Sequence, residues 1–132
     1  MKKIISVTEF LLGLTFVFGG INGLLIPLGY DAIIPVNPRS AFATALSQTH
    51  YILIPQKLTE LFCGMLLLVR RYRFISLVAL APIVISILLY HLFDDTGGLP
   101  VGIIVFLLYV VSLSGHKECL RVLCPGSCLH KT

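Results

Sequence analysis

Charge is what this sequence has least of. Its 132 residues include ten Lys or Arg and six Asp or Glu, 12% of the chain, against 57% apolar residues. Soluble domains carry about 25% charged and about 45–50% apolar residues, so a water-coated globule is excluded. Disorder is excluded as well, because it needs low hydrophobicity together with high charge. The P-loop, the nucleophile elbow, the HExxH zinc helix and the dinucleotide fingerprint are all missing, which removes the commonest motif-bearing enzymes. No internal repeat or low-complexity tract occurs, and no basic and aromatic stripe marks a nucleic-acid surface. No paired cysteines stand at the outer ends of apolar segments, where a disulfide-generating quinone reductase needs them. What is present is a single-domain length of chain with a mean hydropathy of +0.97, the composition of an integral membrane protein.

Residues 10–30, 74–93 and 96–116 are free of charge. Each can cross a hydrocarbon core of about 30 Å at about 1.5 Å per helical residue. A fourth segment, 50–69, has the right length but contains Lys57 and Glu60. Its apolar flanks and the run from Leu61 to Val69 make it a span all the same. The expectation is an all-α membrane protein, a four-transmembrane-helix bundle with spans at about 4–28, 50–69, 74–93 and 99–114. These spans make up a membrane domain over 1–116, followed by a Cys-rich tail over 117–132. Lys2 and Lys3 ahead of an apolar stretch also suit a cleaved signal peptide. No small-x-small cleavage site follows, however, and Glu9 interrupts the stretch, so the first span is expected to be retained.

Basic residues in short loops orient such a chain. Lys2 and Lys3 precede the first span, Arg70, Arg71 and Arg73 join the second to the third, and Lys117, Arg121 and Lys131 follow the fourth. The other side holds only Arg39, with the acidic Asp31, Asp94 and Asp95. Both termini are therefore expected in the cytoplasm, and this asymmetry accounts for the net charge of +4 without nucleic acid as a partner. Proline and glycine punctuate the same scheme. Pro27 closes span one, Pro35 and Pro38 break up the outer loop, and Gly97, Gly98 and Pro100 turn the chain into span four. Pro82 lies inside span three, where neighbouring helices must satisfy the carbonyl it frees.

In lipid, helices associate through close packing of small residues. At 100° per residue, Glu9, Gly13, Phe16, Gly20 and Gly23 share one stripe of span one, flanked by Thr8, Thr15, Gly19 and Asn22. Phe10, Leu11, Leu14, Val17, Phe18, Ile21 and Leu25 form the opposite arc, expected to face lipid. Gly19 with Gly23, and Gly98 with Gly102, have the GxxxG spacing of a packed interface. In span two, Thr49, Leu53, Gln56, Glu60, Cys63, Gly64 and Leu67 share a face with Lys57 at its edge. Tyr51, Ile54, Leu58, Leu61, Phe62, Met65 and Val69 are expected to face away.

An ionisable group inside a span costs about 2.5–3.5 kcal/mol on insertion scales and is by default a functional candidate. The candidate ligand-binding residues are Asn22, Gln56, Lys57, Glu60 and His91, all in the outer half, with Glu60 nearer the middle. Glu9, near the inner end of span one, stands apart. Lys57 and Glu60 are three apart on one helix and either neutralise each other, locking the packing, or serve a bound molecule or proton relay. His91 either bonds a quinone carbonyl or relays a proton, or else bonds a carboxylate or backbone carbonyl at the helix end. With His50 only at the first residue of its span, His91 is the one histidine inside a span, which argues against paired histidine haem ligation in one chain. Asn22 suits an interhelical hydrogen bond, and Asp94 with Asp95 suits a solvated turn. The tail places Cys119, Cys124, Cys128 and His130 close together, with His116 before them. Their spacing departs from that of zinc sites, and a cytoplasmic location opposes a lasting disulfide. A membrane-surface tail with reduced or lipidated thiols is preferred to a metal set of Cys119, Cys124, Cys128 and His130.

Several short motifs, taken in order, carry a family resemblance. They are Asn22-Gly23-Leu24, Glu60-x-x-x-Gly64-x-Leu66-Leu67-Leu68 followed by Arg71-Tyr72, Ala81-Pro82-Ile83-Val84, Leu88-Leu89-Tyr90-His91-Leu92, and Gly98-Leu99-Pro100. Together they resemble the DoxX and DoxX-like membrane proteins across about residues 4–113. The resemblance implies a four-helix bundle of the bacterial cytoplasmic membrane. It also implies a link to thiosulfate:quinone oxidoreduction, quinone or oxidative-stress responses, or membrane redox complexes, with Asn22, Glu60 and His91 as the matching polar positions. Ser86 stands where relatives often have Asn, Lys57 is an added charge, and the tail lies outside the match. The resulting expectation is an accessory, non-catalytic subunit of an oxidoreductase system that binds a small apolar ligand, with quinone as the candidate cofactor. Small-residue faces imply a homo-oligomer or a partner subunit. Two competing functions are a membrane assembly protein whose polar groups only lock the bundle, and a small-solute carrier. Four spans without a repeat leave the carrier little room for alternating access.

Overall fold

A computed structural model describes residues 2–35, 37, 39–69 and 72–119. Among these residues there are no strands, and four helices are long and apolar enough to cross a membrane, as a multi-pass membrane protein requires. Helix α1 (Lys2–Leu25) runs to two residues before Pro27. The next residues keep helical closure: Gly29 N–H donates to Ile26 O (3.1 Å) and Tyr30 N–H to Leu25 O (2.9 Å). This paired closure is a Schellman motif, and Gly29 occupies its left-handed position at φ 82°, which a side chain would strain. The expected end of span one near Leu28 is thus met by the motif rather than by regular helix.

The link that follows was expected to be an irregular outer loop, but it contains a second helix, α2 (Ala41–Gln48). Ser40 caps it by accepting from Ala43 N at 2.9 Å. An eight-residue segment without charges has too few turns to show a periodic pattern, so its sequence does not announce a helix. Helix α3 (His50–Val69) begins one residue later, and α4 (Arg73–Phe93) follows. Both carry an internal proline, Pro55 and Pro82, and remain single helices. Thr59 and Ser86 bond back to the Pro55 and Pro82 carbonyls, each at 2.8 Å. A 3₁₀ turn (Thr96–Gly98) leads into α5 (Leu99–Ser114), with Pro100 in its first turn as anticipated.

The four long helices pack as a ring in which α1 adjoins α3, α3 adjoins α4, α4 adjoins α5 and α5 adjoins α1. Leu12, Phe16, Cys63, Leu67, Leu77, Leu80, Ile83, Val84, Val105 and Tyr109 fill its centre. Tyr109 keeps its hydroxyl satisfied there by donating to Leu77 O at 3.0 Å. The closest pairing is α1 with α3, where glycines let backbones approach. A Cβ on Gly13 would lie 3.1 Å from Gly64 O, and one on Gly20 only 2.9 Å from Leu61 N.

The lipid faces match expectation for Phe10, Leu11, Leu14, Phe18 and Ile21, and for Tyr51, Ile54, Leu58, Phe62, Met65 and Val69, all exposed. Three residues depart from it, among them Leu25, which is only partly exposed near the end of α1. Val17 lies against Gly64, and Leu61 against Gly20, because the glycine seam draws these flanking positions into the interface. One end of the bundle holds the start of α1, the α3–α4 junction and the end of α5, and is called the terminal end below. The opposite, loop end holds α2 and the 3₁₀ turn, with Tyr30, Phe42, Tyr51 and Phe93 exposed around it.

Candidate functional site

The polar residues expected to form one outer-half cluster occupy three separate arrangements. On α3, Glu60 is almost fully enclosed (2% exposed), and Lys57 Nζ lies 2.8 Å from each of its carboxylate oxygens. Gln56 Nε2 adds a longer donor at 3.4 Å. The Lys57 methylene stem lies where a side chain on Gly23 would be, and Glu60 Oε2 sits 3.5 Å from the Cβ position of Gly19. Lysine buries its stem and holds its charge at the carboxylate, so the pair is neutral and fully bonded within its own helix. The GxxxG pair of α1, Gly19 and Gly23, thus makes room for this ion pair, while Gly13 and Gly20 admit the α3 backbone. Lys57→Met should cost about 2–3 kcal/mol, because it leaves Glu60 with only Gln56 as a donor. The double variant K57M/E60Q should regain most of that loss in denaturation of the purified protein.

Asn22 takes no part in this group. Its side chain accepts from Ile34 N at 2.9 Å and donates to Ile34 O at 3.3 Å, bonding both backbone groups of one residue in the α1–α3 link. The expected interhelical bond is therefore a helix-to-loop bond, since Asn22 lies in the last turns of α1, where the link folds back.

His91 lies at the loop end on α4, with its side chain 16% exposed. Gly98 and Gly102 form the bed for its ring. The edge with Nδ1 and Cε1 covers Gly98, and Cδ2 lies 2.9 Å from the Cβ position of Gly102. The second GxxxG pair therefore accommodates an imidazole. Tyr90 meets the ring edge-on, with centroids 5.0 Å apart. Nδ1 is enclosed without a hydrogen bond, and Asp95 Oδ2 lies 3.5 Å away. Asp94 and Asp95, expected in a solvated turn, instead hold the α1–α3 link. Ser40 Oγ donates to Asp94, and Asn37 Nδ2 donates to Asp95 Oδ1 at 3.0 Å. Carboxylates at the end of α4 meet the donors of a link that departs from α1, a meeting invisible in the sequence around either segment. Among the described residues, no hydrogen bond or ion pair joins His91 or Asn22 to the Gln56, Lys57 and Glu60 group.

A second buried ionic site lies at the terminal end. Glu9 is fully buried and bonds Arg73 through Oε2 and His116 Nε2 through Oε1, the latter at 2.7 Å. Arg73, counted in the sequence as a junction charge, is the first residue of α4, and His116 follows the end of α5. Phe74 packs against the His116 ring, with centroids 6.1 Å apart, and Ser112 bonds Thr8 at 3.3 Å beside it. One carboxylate thus ties α1 to α4 and to the end of α5. Only half of this signal was in the sequence, as an acidic residue inside a span with no partner in sight.

The tail is described only as far as Cys119, which is a free and exposed thiol. The remaining members of the alternative metal set, Cys124, Cys128 and His130, lie outside the described residues. His116 is engaged by Glu9. Compared with protein-family models, with curated proteins and with solved structures, the chain matches none.

Proposed function

We propose that this protein is an accessory component of a membrane redox system, of the kind its resemblance to DoxX implies, and that it binds a small apolar, quinone-like molecule at the loop end of its bundle. The observation that carries this reading is His91, an imidazole held between α4 and α5 with neither ring nitrogen hydrogen-bonded among the described residues, Nδ1 being enclosed. Buried polar atoms are nearly always satisfied, and an exception marks a site of strain or of function. Glu60 is the weaker candidate for direct contact, since Lys57 and Gln56 already occupy its oxygens. In this reading Gln56, Lys57 and Glu60 hold α1 against α3, and Asn22 holds the link whose Asn37 meets Asp95. The chain takes a bacterial inner membrane as its location, both termini in the cytoplasm, and a second copy or a redox subunit as its partner.

Labelling with a photoreactive alkyl-benzoquinol tests this. The wild-type protein should be labelled near His91 in a manner suppressed by excess unlabelled quinol, and His91→Ala should reduce that labelling about tenfold. Glu60→Gln should reduce it less. Equal labelling of wild type and His91→Ala overturns the site.

The completeness of the Lys57–Glu60 pair favours a second reading, an assembly protein whose polar groups only lock its helices. It predicts full activity in cells challenged with quinones for any His91 or Glu60 variant that still folds.

A further inference from the structure

We infer that Asp95 positions His91 as a hydrogen-bond acceptor, so that the loop-end site takes an apolar molecule bearing a hydroxyl donor in preference to one bearing only carbonyl or ether oxygens. This rests on the functional reading above and narrows its ligand class.

His91 Nδ1 is enclosed, and the group facing it is Asp95 Oδ2 at 3.5 Å. The other Asp95 oxygen is already held by Asn37 Nδ2 at 3.0 Å, and the Asp95 amide donates to Tyr90 O at 3.0 Å. The carboxylate is therefore fixed at both ends and presents one free oxygen to the ring. The neighbouring Asp94 is engaged by Ser40, and Tyr90 meets the ring through an aromatic edge contact. An ionised carboxylate only accepts hydrogen bonds, so a lone pair on Nδ1 would face it repulsively, whereas an N–H there would face it favourably. A neutral imidazole carries its proton on one nitrogen only. With Nδ1 protonated toward Asp95, Nε2 keeps its lone pair.

Nε2 has no hydrogen-bond partner among the described residues and is not enclosed as Nδ1 is. It is the nitrogen left for a ligand, and a lone pair there bonds an O–H and repels a carbonyl oxygen. A site built for a donor discriminates strongly against an analogue that lacks it. Asn37 belongs to the α1–α3 link, so the same carboxylate ties the link to the ring. Asp95 is thus a positioning residue that acts through His91.

Nitrogen-15 NMR of the full-length, histidine-labelled protein in lipid nanodiscs tests the inference at about pH 8, above the range in which histidine ordinarily titrates. His91→Gln assigns the His91 signals. The expected result is the Nδ1–H tautomer in the wild type and a change to the Nε2–H tautomer in Asp95→Ala. An alkyl-1,4-benzoquinol should then move the Nε2 signal and bind about tenfold more tightly than its dimethyl ether or the parent quinone. The Nε2–H tautomer in the wild type, or an unchanged tautomer in Asp95→Ala, overturns the role of Asp95. Equal affinity for quinol, ether and quinone overturns the ligand preference while leaving the functional reading intact. No shift with any of the three probes overturns the functional reading and the preference together, and the tautomer then still reports on Asp95. The wild-type spectra decide the matter even if Asp95→Ala does not fold.

Discussion

Gly64→Leu should separate α1 from α3 and strongly destabilise the protein. A Cβ at this position falls 2.8 Å from Val17 N and 2.9 Å from Gly13 O. Both are backbone atoms of α1, so neither can rotate aside as a side-chain terminus would. Overpacking costs about 1–3 kcal/mol where neighbours can adjust, and occasionally more. A leucine here meets main chain and has three further carbons to place, which puts the loss at or above about 3 kcal/mol. Gly97→Ala is the control, since its Cβ meets only Asp95 Oδ1 at 3.8 Å, an ordinary contact. It should change stability by less than about 0.5 kcal/mol. Unfolding of the purified protein by increasing proportions of sodium dodecyl sulfate, followed by circular dichroism, gives both values. A Gly64→Leu midpoint equal to that of the wild type would show that the glycine seam does not hold α1 to α3.

The second large effect is expected at the terminal end. Glu9→Ala removes a fully buried carboxylate and leaves the Arg73 guanidinium, 17% exposed and with its Nε enclosed and unpaired, without its anion. Breaking a buried ion pair from one side costs about 3–5 kcal/mol, because the surviving charge stays desolvated. His116 loses its acceptor in the same step, which frees the end of α5. Replacing both charges at once, in Glu9→Leu with Arg73→Met, should recover most of the loss, since well-packed apolar residues often match or exceed a buried pair. The double-variant cycle in the same unfolding assay separates the pair from its surroundings. Additive losses in the two single variants would mean that Glu9 and Arg73 do not act as a pair. His116→Ala should cost less than Glu9→Ala, because Arg73 still neutralises the carboxylate.

Much of the fold is legible in the sequence. Span length and apolar content are properties of consecutive residues, and so is the 100° spacing that put Gly13, Gly20 and Gly23 on one face of α1. The Lys57–Glu60 pair was legible for the same reason, being three residues apart on one helix. Helix α2 was not, since it is short and its cap at Ser40 gains meaning only beside Asp94. The candidate site was legible in part. His91 stands out as a histidine inside a span, whereas Asp95 reads as a solvated turn residue and meets Asn37 and the ring only in the fold.

The sequence by itself determined that this is a membrane protein with four spanning helices, and which faces of those helices are apolar enough for lipid, because hydropathy and helical period act over a few turns. Only the tertiary structure decided which polar groups meet. Glu9 finds Arg73 and His116 at separations of 64 and 107 residues, and Asp95 finds Asn37 at a separation of 58. Such meetings depend on how far each helix is rotated and raised against its neighbour, and here the glycines set that by where they let backbone approach backbone. The scarcity of charge named the solvent of this protein, and the packing of its helices chose the partner of each charge that remained inside.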